Sequence, residues 1–215
     1  MTTEAPAQSA RKPDPRRART RAALIAAARR LLAEGRVAVS VQEITTEAGV
    51  GFGSFYNHFD SKEDLFSEAV ANTLDIWGEM RDVVVAGIDD PAEAFATSFR
   101  MIGRVQRRLP EMVRVMLNQG MSVLLTDRGL RPRALADLQR GIDSGRFSVA
   151  DAEVALMMVG GALLGLMQLL DADPHLDDAR ISDDYTRHML LMLGLDSTEA
   201  DRLVTLPLPA APDIG

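Results

Sequence analysis

Apolar residues recur at three- and four-residue spacing along most of this 215-residue chain, and no stretch shows the two-residue alternation of a strand. The pattern predicts an all-α fold. Ala23, Leu24, Ala27, Leu31 and Leu32 line one side of a helix running from near Pro15 to Glu34, which Gly35 stops. Ser40 with Glu43 three residues on reads as a capping box, and Val41, Ile44 and Ala48 give the short helix it opens an apolar side. Gly49 can turn left-handed and end that helix. A second short helix follows at once, with Phe55 and Phe59 inward and Ser54, Tyr56 and Asn57 pointing elsewhere. Ser61 caps a long helix to about Ala86. Further helices are predicted from Asp90-Pro91, after Leu109-Pro110, over 132–144, from Asp151 to Leu170 and over 183–193, with a short turn over 197–204.

Composition agrees: 47% of residues are apolar, only 5% aromatic, and helix formers dominate. There is no cysteine, which excludes disulfides, thiolate metal sites and cysteine nucleophiles. The first twenty residues are basic without an apolar core, unlike a secretory signal. Val154 to Leu170 is nearly all apolar but short for a bilayer span, holds Gln168 and is flanked by acids; it reads as a packed helix rather than a membrane segment. The formal net charge is −7, unevenly spread: ten Lys or Arg face six Asp or Glu through Lys62, against 14 and 25 beyond it. A basic head on an acidic body suits a chain of which one end meets phosphates.

Two short helices joined by a glycine turn, the second polar on its free side, suit insertion into a DNA major groove. On Ile44, Ala48-Gly49-Val50, Gly53-Ser54-Phe55-Tyr56, His58-Phe59 and Ser61-Lys62, together with Thr20-Arg21 through Leu31-Leu32, the region from Arg19 to Val70 resembles the N-terminal domain of TetR-family transcriptional regulators. That resemblance implies residues 15–62 as a DNA-binding domain (the linking helix beginning at 61) and 63–205 as a helical effector-binding and dimerisation domain. Residues 1–14 read as a disordered basic arm and 206–215 as an extended tail.

The expected DNA-binding set is Ser40, Thr45, Gly51, Phe52, Gly53, Ser54, Tyr56, Asn57, His58 and Lys62. Tyr56 reaches the phosphate backbone, Lys62 at a helix start is a second phosphate site, and Ser40, Thr45 and Ser54 are small donors. Gly53 permits close backbone approach. The family commonly opens its recognition helix with Ser-Lys, where this chain has Gly51-Phe52. Phe52 either touches a thymine methyl or folds back onto the domain, and Asn57 either pairs with adenine or binds phosphate. His58 reads as structural or phosphate-side, not as a metal ligand.

In the C-terminal half, Trp77, Met80, Phe95, Phe99, Met112, Met116, Met121 and Met167 are candidates to line an adaptable apolar effector pocket. Leu156, Val159, Leu163, Leu166, Leu170, Tyr185, Met189 and Leu193 are the candidate homodimer surface on two late helices. The expected function is a cytoplasmic transcriptional repressor that binds a pseudo-palindromic operator in double-stranded DNA as a dimer. A small apolar or amphipathic effector would release it. No cofactor, metal or membrane partner is expected. The scattered His58, His175 and His188 and the absence of catalytic motifs argue against an enzyme. The alternative is a helical ligand carrier whose DNA-binding head has decayed, hinted at by Gly51-Phe52.

Overall fold

The computed structural model describes residues 14–210, and among them there are only helices and turns. The expected basic arm, apart from Asp14, and the end of the tail lie outside the described residues. Helix α1 (Pro15–Ala33) is capped by Asp14, whose carboxylate accepts from the Arg16 N–H. α2 (Val41–Glu47) carries the full capping box: Ser40 accepts from the Glu43 N–H while Glu43 accepts from the Ser40 N–H. Gly49, at φ +65°, makes the turn into α3 (Phe52–Phe55). α4 (Lys62–Val84), capped by Ser61, is the longest element. Then come α5 (Pro91–Val105), α6 (Pro110–Gln119), α7 (Leu130–Asp143), α8 (Ala152–Ala172), α9 (Asp178–Met192) and α10 (Ser197–Thr205). A 3₁₀ segment, Gly120–Leu125, joins α6 to α7.

Two apolar clusters organise these helices. The head cluster holds Leu24, Leu31, Ile44, Phe55, Phe59 and Leu65; the body cluster holds Leu74, Trp77, Phe99, Leu138, Leu166 and Leu190. α4 belongs to both. One further residue crosses over: Val115 of α6 is fully buried in the head cluster, while its neighbour Met116 belongs to the body.

Three sequence expectations change. α7 starts at Leu130, not Pro132, because first-turn N–H groups have no intrahelical partner and tolerate a proline there. α9 starts five residues earlier than the Asp183 start expected, because Asp177 is the acid that caps it, accepting from the Arg180 N–H. The third concerns the dimer surface. Leu156, Val159, Leu163, Leu166, Leu170 and Leu193 are all buried inside the single chain and cannot meet a partner; Tyr185 and Met189 are half-exposed. The outer side of α8 is instead Val154, Met158, Gly165 and Leu169. The large side chains fill the body core, leaving smaller or fewer apolar groups outside. α8 is long and apolar enough to cross a bilayer by length and composition, but in this fold one side of it is core.

Candidate nucleic-acid interface and effector cavity

α3 is a single turn, held from below by Phe55 and Phe59, so its other residues stand on the surface. Gly51, Phe52, Gly53, Tyr56 and Asn57 are exposed, and Ser54 is half-exposed. Phe52 does not fold back: 48% of it is accessible, and its ring sits edge-on to Tyr56 with centroids 5.8 Å apart. Tyr56 is 57% exposed and leans on Phe55, which aims the phenol outward. Nothing lies within 4 Å of where a Cβ on Gly53 would sit, so a backbone can approach there. The site is fixed to α1 by the Arg17 guanidinium, which donates to the Asn57 carbonyl at 3.2 Å, and by Arg21, 5.1 Å from the centre of the Phe59 ring.

Three expected contacts read differently in place. Thr45 is fully buried and donates its hydroxyl to the Gln42 carbonyl, so it has no atom to offer a phosphate; it lies beside Ile44 on the inner side of a helix too short for sequence periodicity to separate the two. Lys62 donates its ammonium to the Val39 carbonyl at 3.1 Å, tying the start of α4 to the loop before α2. His58 is half-buried; desolvation, then Arg17 and Arg21, hold its imidazole below the usual range. It can donate a hydrogen bond but brings no charge near neutral pH. Ser40 is exposed, and its capping partner Glu43 is kept below the usual carboxylate range by the hydrogen bonds from the Ser40 backbone and side chain.

Between α4, α5, α6, α7 and α8 lies a narrow cavity of about 90 Å³. Phe95, Phe99, Met116 and Met167 line it, as expected from sequence, along with Leu74, Ile102, Leu124, Leu138 and Leu163. Met112 is packed in the core without reaching it, and Met121 is 48% exposed on the outside, because the 3₁₀ segment turns Val123 and Leu124 inward in its place. Trp77 and Met80 line a smaller chamber of about 10 Å³ that shares Arg81, Ser98 and Ile102 with the main cavity.

The polar groups of the wall were missed in the sequence. Arg81 and Asp137 form an ion pair between α4 and α7, and Asp137 also accepts from Arg140 at 2.6 Å. Both paired side chains are nearly buried, and both face the cavity. A carboxylate set in the apolar run Ala134-Leu135-Ala136-Asp137-Leu138 was the available signal. Arg131 covers another part of the wall, bonding the Leu124 carbonyl at 2.9 Å and both oxygens of Glu153.

Comparison with known proteins fits this geometry. The model of bacterial regulatory proteins of the tetR family matches residues 24–69, and that of the tetracyclin repressor-like C-terminal domain matches residues 90–205. The chain belongs to the TetR family. Within the family it is similar to the HTH-type transcriptional repressor KstR2 of Rhodococcus jostii (strain RHA1), 40% identical over 82 residues. That stretch covers 36% of this chain and 40% of the repressor, so the match spans less than half of the relative. The crystal structure of RolR with its ligand resorcinol is 34% identical, covering 92% of this chain and 98% of RolR, with a TM-score of 0.69. FadR of Bacillus halodurans, described as a fatty acid degradation regulator, shares the fold at 19% identity and a TM-score of 0.66, over 84% of this chain and 97% of that one.

Proposed function

We propose that this chain is a repressor that binds a pseudo-palindromic operator as a homodimer and is released by a small single-ring effector. The observation that carries the reading is the position of α6. Met116 on one side of it lines the cavity, while Val115 on the other sits in the core of the DNA-binding head. Asn118, one turn on, donates to the Leu32 carbonyl at 2.8 Å and to that of Ala33 at 3.3 Å, at the end of α1. Arg29 and Glu111 add an ion pair between the same two helices. Anything that shifts Met116 therefore moves groups on which the head is built. α4 gives a second route, since Leu74 and Arg81 line the cavity below the end that carries Leu65. Such a switch works only if the effector prefers one arrangement of these helices.

Cavity size limits the effector. An apolar cavity of about 150 Å³ takes benzene, so about 90 Å³ limits the effector to a single ring on which the walls close tightly. The lining is apolar with one buried ion pair, which favours an aromatic compound bearing a hydroxyl. The resorcinol bound by RolR is of that class.

For the homodimer, the support is the outer stripe of α8. From Val154 to Leu170 it has no charged residue, and Val154, Met158 and Leu169 are 58%, 51% and 39% exposed. Met121 and the 72%-exposed Leu125 extend the stripe, Met121 lying 3.8 Å from where a Gly161 Cβ would be. With Tyr185 and Met189 of α9 this makes an isologous face, two helices from each copy. A symmetric pair sets two α3 turns one helical repeat of DNA apart, or a multiple of it.

The test is fluorescence polarisation on duplexes from the protein's own promoter region and from a genomic selection, against scrambled duplex, over a salt series. The expected result is selective, salt-dependent binding that Tyr56→Ala weakens and a single-ring phenol reverses. Binding no tighter than to scrambled DNA in both sets would favour the carrier reading instead.

A further inference from the structure

The cavity and its side chamber hold one group that the fold itself leaves without a partner. Trp77, 1% exposed, is the only tryptophan of the chain, and its indole Nε1–H meets no acceptor among the described residues. A buried donor without a partner is costly, and native folds leave few of them. Trp77 lines the smaller chamber, whose walls also include Met80, Val84, Met101 and Val105. These four are apolar and accept the proton poorly, and the Ser98 hydroxyl, which also lines the chamber, donates to the Phe95 carbonyl and is not bonded to the indole. The chamber shares Arg81, Ser98 and Ile102 with the main cavity, so the two are adjoining parts of one site. At about 10 Å³ the chamber has room for roughly one non-hydrogen atom.

We infer that Trp77 is a ligand-contacting residue: the effector carries an acceptor oxygen, set into this chamber, that takes the indole N–H while its ring fills the main cavity. The inference rests on the effector reading above and deepens it. Neighbouring charges narrow the class of oxygen. Arg81, the charged residue of the chamber wall, is already held by Asp137 and Asp82, acids that also pair with Arg140 and Arg133, so its guanidinium is engaged and a carboxylate set among Met80, Val84, Met101 and Val105 would be desolvated against apolar walls. A hydroxyl or carbonyl oxygen carries no charge to desolvate. The effector is thus a neutral single-ring compound with at least one such oxygen beyond any that engages Arg81 and Asp137. Specificity follows from the same geometry, because a ring lacking that oxygen leaves the buried N–H unserved.

The position also supplies its own reporter. A uniformly ¹⁵N-labelled full-length protein gives one indole N–H signal, which resorcinol is expected to move downfield and toluene to leave near its place. Calorimetric titration with the same two probes then compares the native protein with Trp77→Phe, which keeps an apolar ring and removes the donor. Resorcinol affinity is expected to fall about two- to tenfold, the worth of one neutral hydrogen bond, while toluene affinity stays within twofold. An unmoved indole signal in resorcinol-saturated protein, or equal resorcinol affinity in a folded Trp77→Phe protein, overturns the assignment and leaves the effector reading standing. No calorimetric or spectral sign of either probe in the native protein overturns both. Should Trp77→Phe fail to fold, the indole signal alone decides.

Discussion

If α6 transmits the state of the cavity, loosening its grip on α1 uncouples effector from DNA without touching either site. Asn118→Ala is the cleanest such change. It removes the 2.8 Å bond to the Leu32 carbonyl and the weaker 3.3 Å bond to Ala33, at an exposed position where no cavity is created. A net hydrogen bond contributes about 0.5–1.5 kcal/mol, and the longer second bond adds the smaller share. The head–body connection thus loses about 1–2 kcal/mol, a factor of roughly 5 to 30 in an equilibrium. Coupling between two sites cannot exceed the differential contacts that carry it, so the effector's power to weaken DNA binding should shrink by up to that factor. The measurement is the ratio of operator Kd with and without saturating resorcinol, by fluorescence polarisation, for both proteins. Calorimetric resorcinol affinity should change by no more than the same factor, as linkage requires. A ratio within twofold of the native one in Asn118→Ala and also in its companion below, Val115→Ala, would refute α6 as the lever and leave α4 as the route. Val115→Ala is the companion: two methyl-sized groups leave the head core, at about 0.8 kcal/mol each plus a cavity term. It should lower Tm as well as coupling, and by at least as much as the loss in Asn118→Ala, which corresponds to about 2–8 °C.

Other expectations are independent of that lever. Tyr56→Phe should weaken operator and non-specific duplex alike, by about three- to tenfold in polarisation titrations, because a phosphate contact sets register and not sequence. Phe52→Ala should instead flatten discrimination at one thymine position, seen when thymine is replaced by uracil in the operator; equal discrimination in both proteins would place Phe52 off the bases. Gly129→Ala should unfold the body or lower Tm by more than 10 °C by differential scanning calorimetry, since its Cβ would stand 2.3 Å from the Leu74 backbone at φ +66°. Met158→Arg should turn the homodimer into monomer by analytical ultracentrifugation and weaken operator binding with it. The Glu199 carboxyl is held down to about 2, first by Arg202 and then by Arg146. Its folded value lies below the unfolded one, so its stabilisation is complete above about pH 5 and is lost as pH falls toward 2. Glu199→Gln should therefore lower Tm by about 2–4 °C at pH 7 and by less at pH 3.

What could be seen in the sequence, and what could not, divides by how local the controlling physics is. The head was legible because its devices are short-range: a capping box from Ser40 to Glu43, a left-handed Gly49, a Ser61 cap, two phenylalanines four apart. Each is a backbone requirement met by one residue type, so reading them in order gives the helix-turn-helix. Thr45 failed because a seven-residue helix has too few turns for periodicity to say on which side a residue next to Ile44 lies. The body posed the opposite problem. α8 is apolar on every side, so its sequence carries no moment to distinguish core from surface, and choosing the leucines as the dimer face chose the side that the fold buries. Only the neighbours decide it: Leu124 lies over Gly160, where a Cβ would come within 2.6 Å, and Gly165 is left facing out. The Arg81–Asp137 pair was harder to find for the same reason, since its members are 56 residues apart and, although Asp137 stands out in an apolar run, nothing local names Arg81 as its partner. Pairing them requires α4 and α7 to be side by side, which Gly129 allows by letting the start of α7 touch the Leu74 backbone. The features that choose an effector in this chain are thus long-range ones, set by which helices meet. A change at Gly160, which meets only the Leu124 side chain, should therefore alter ligand preference even though this glycine has no side chain to offer a ligand.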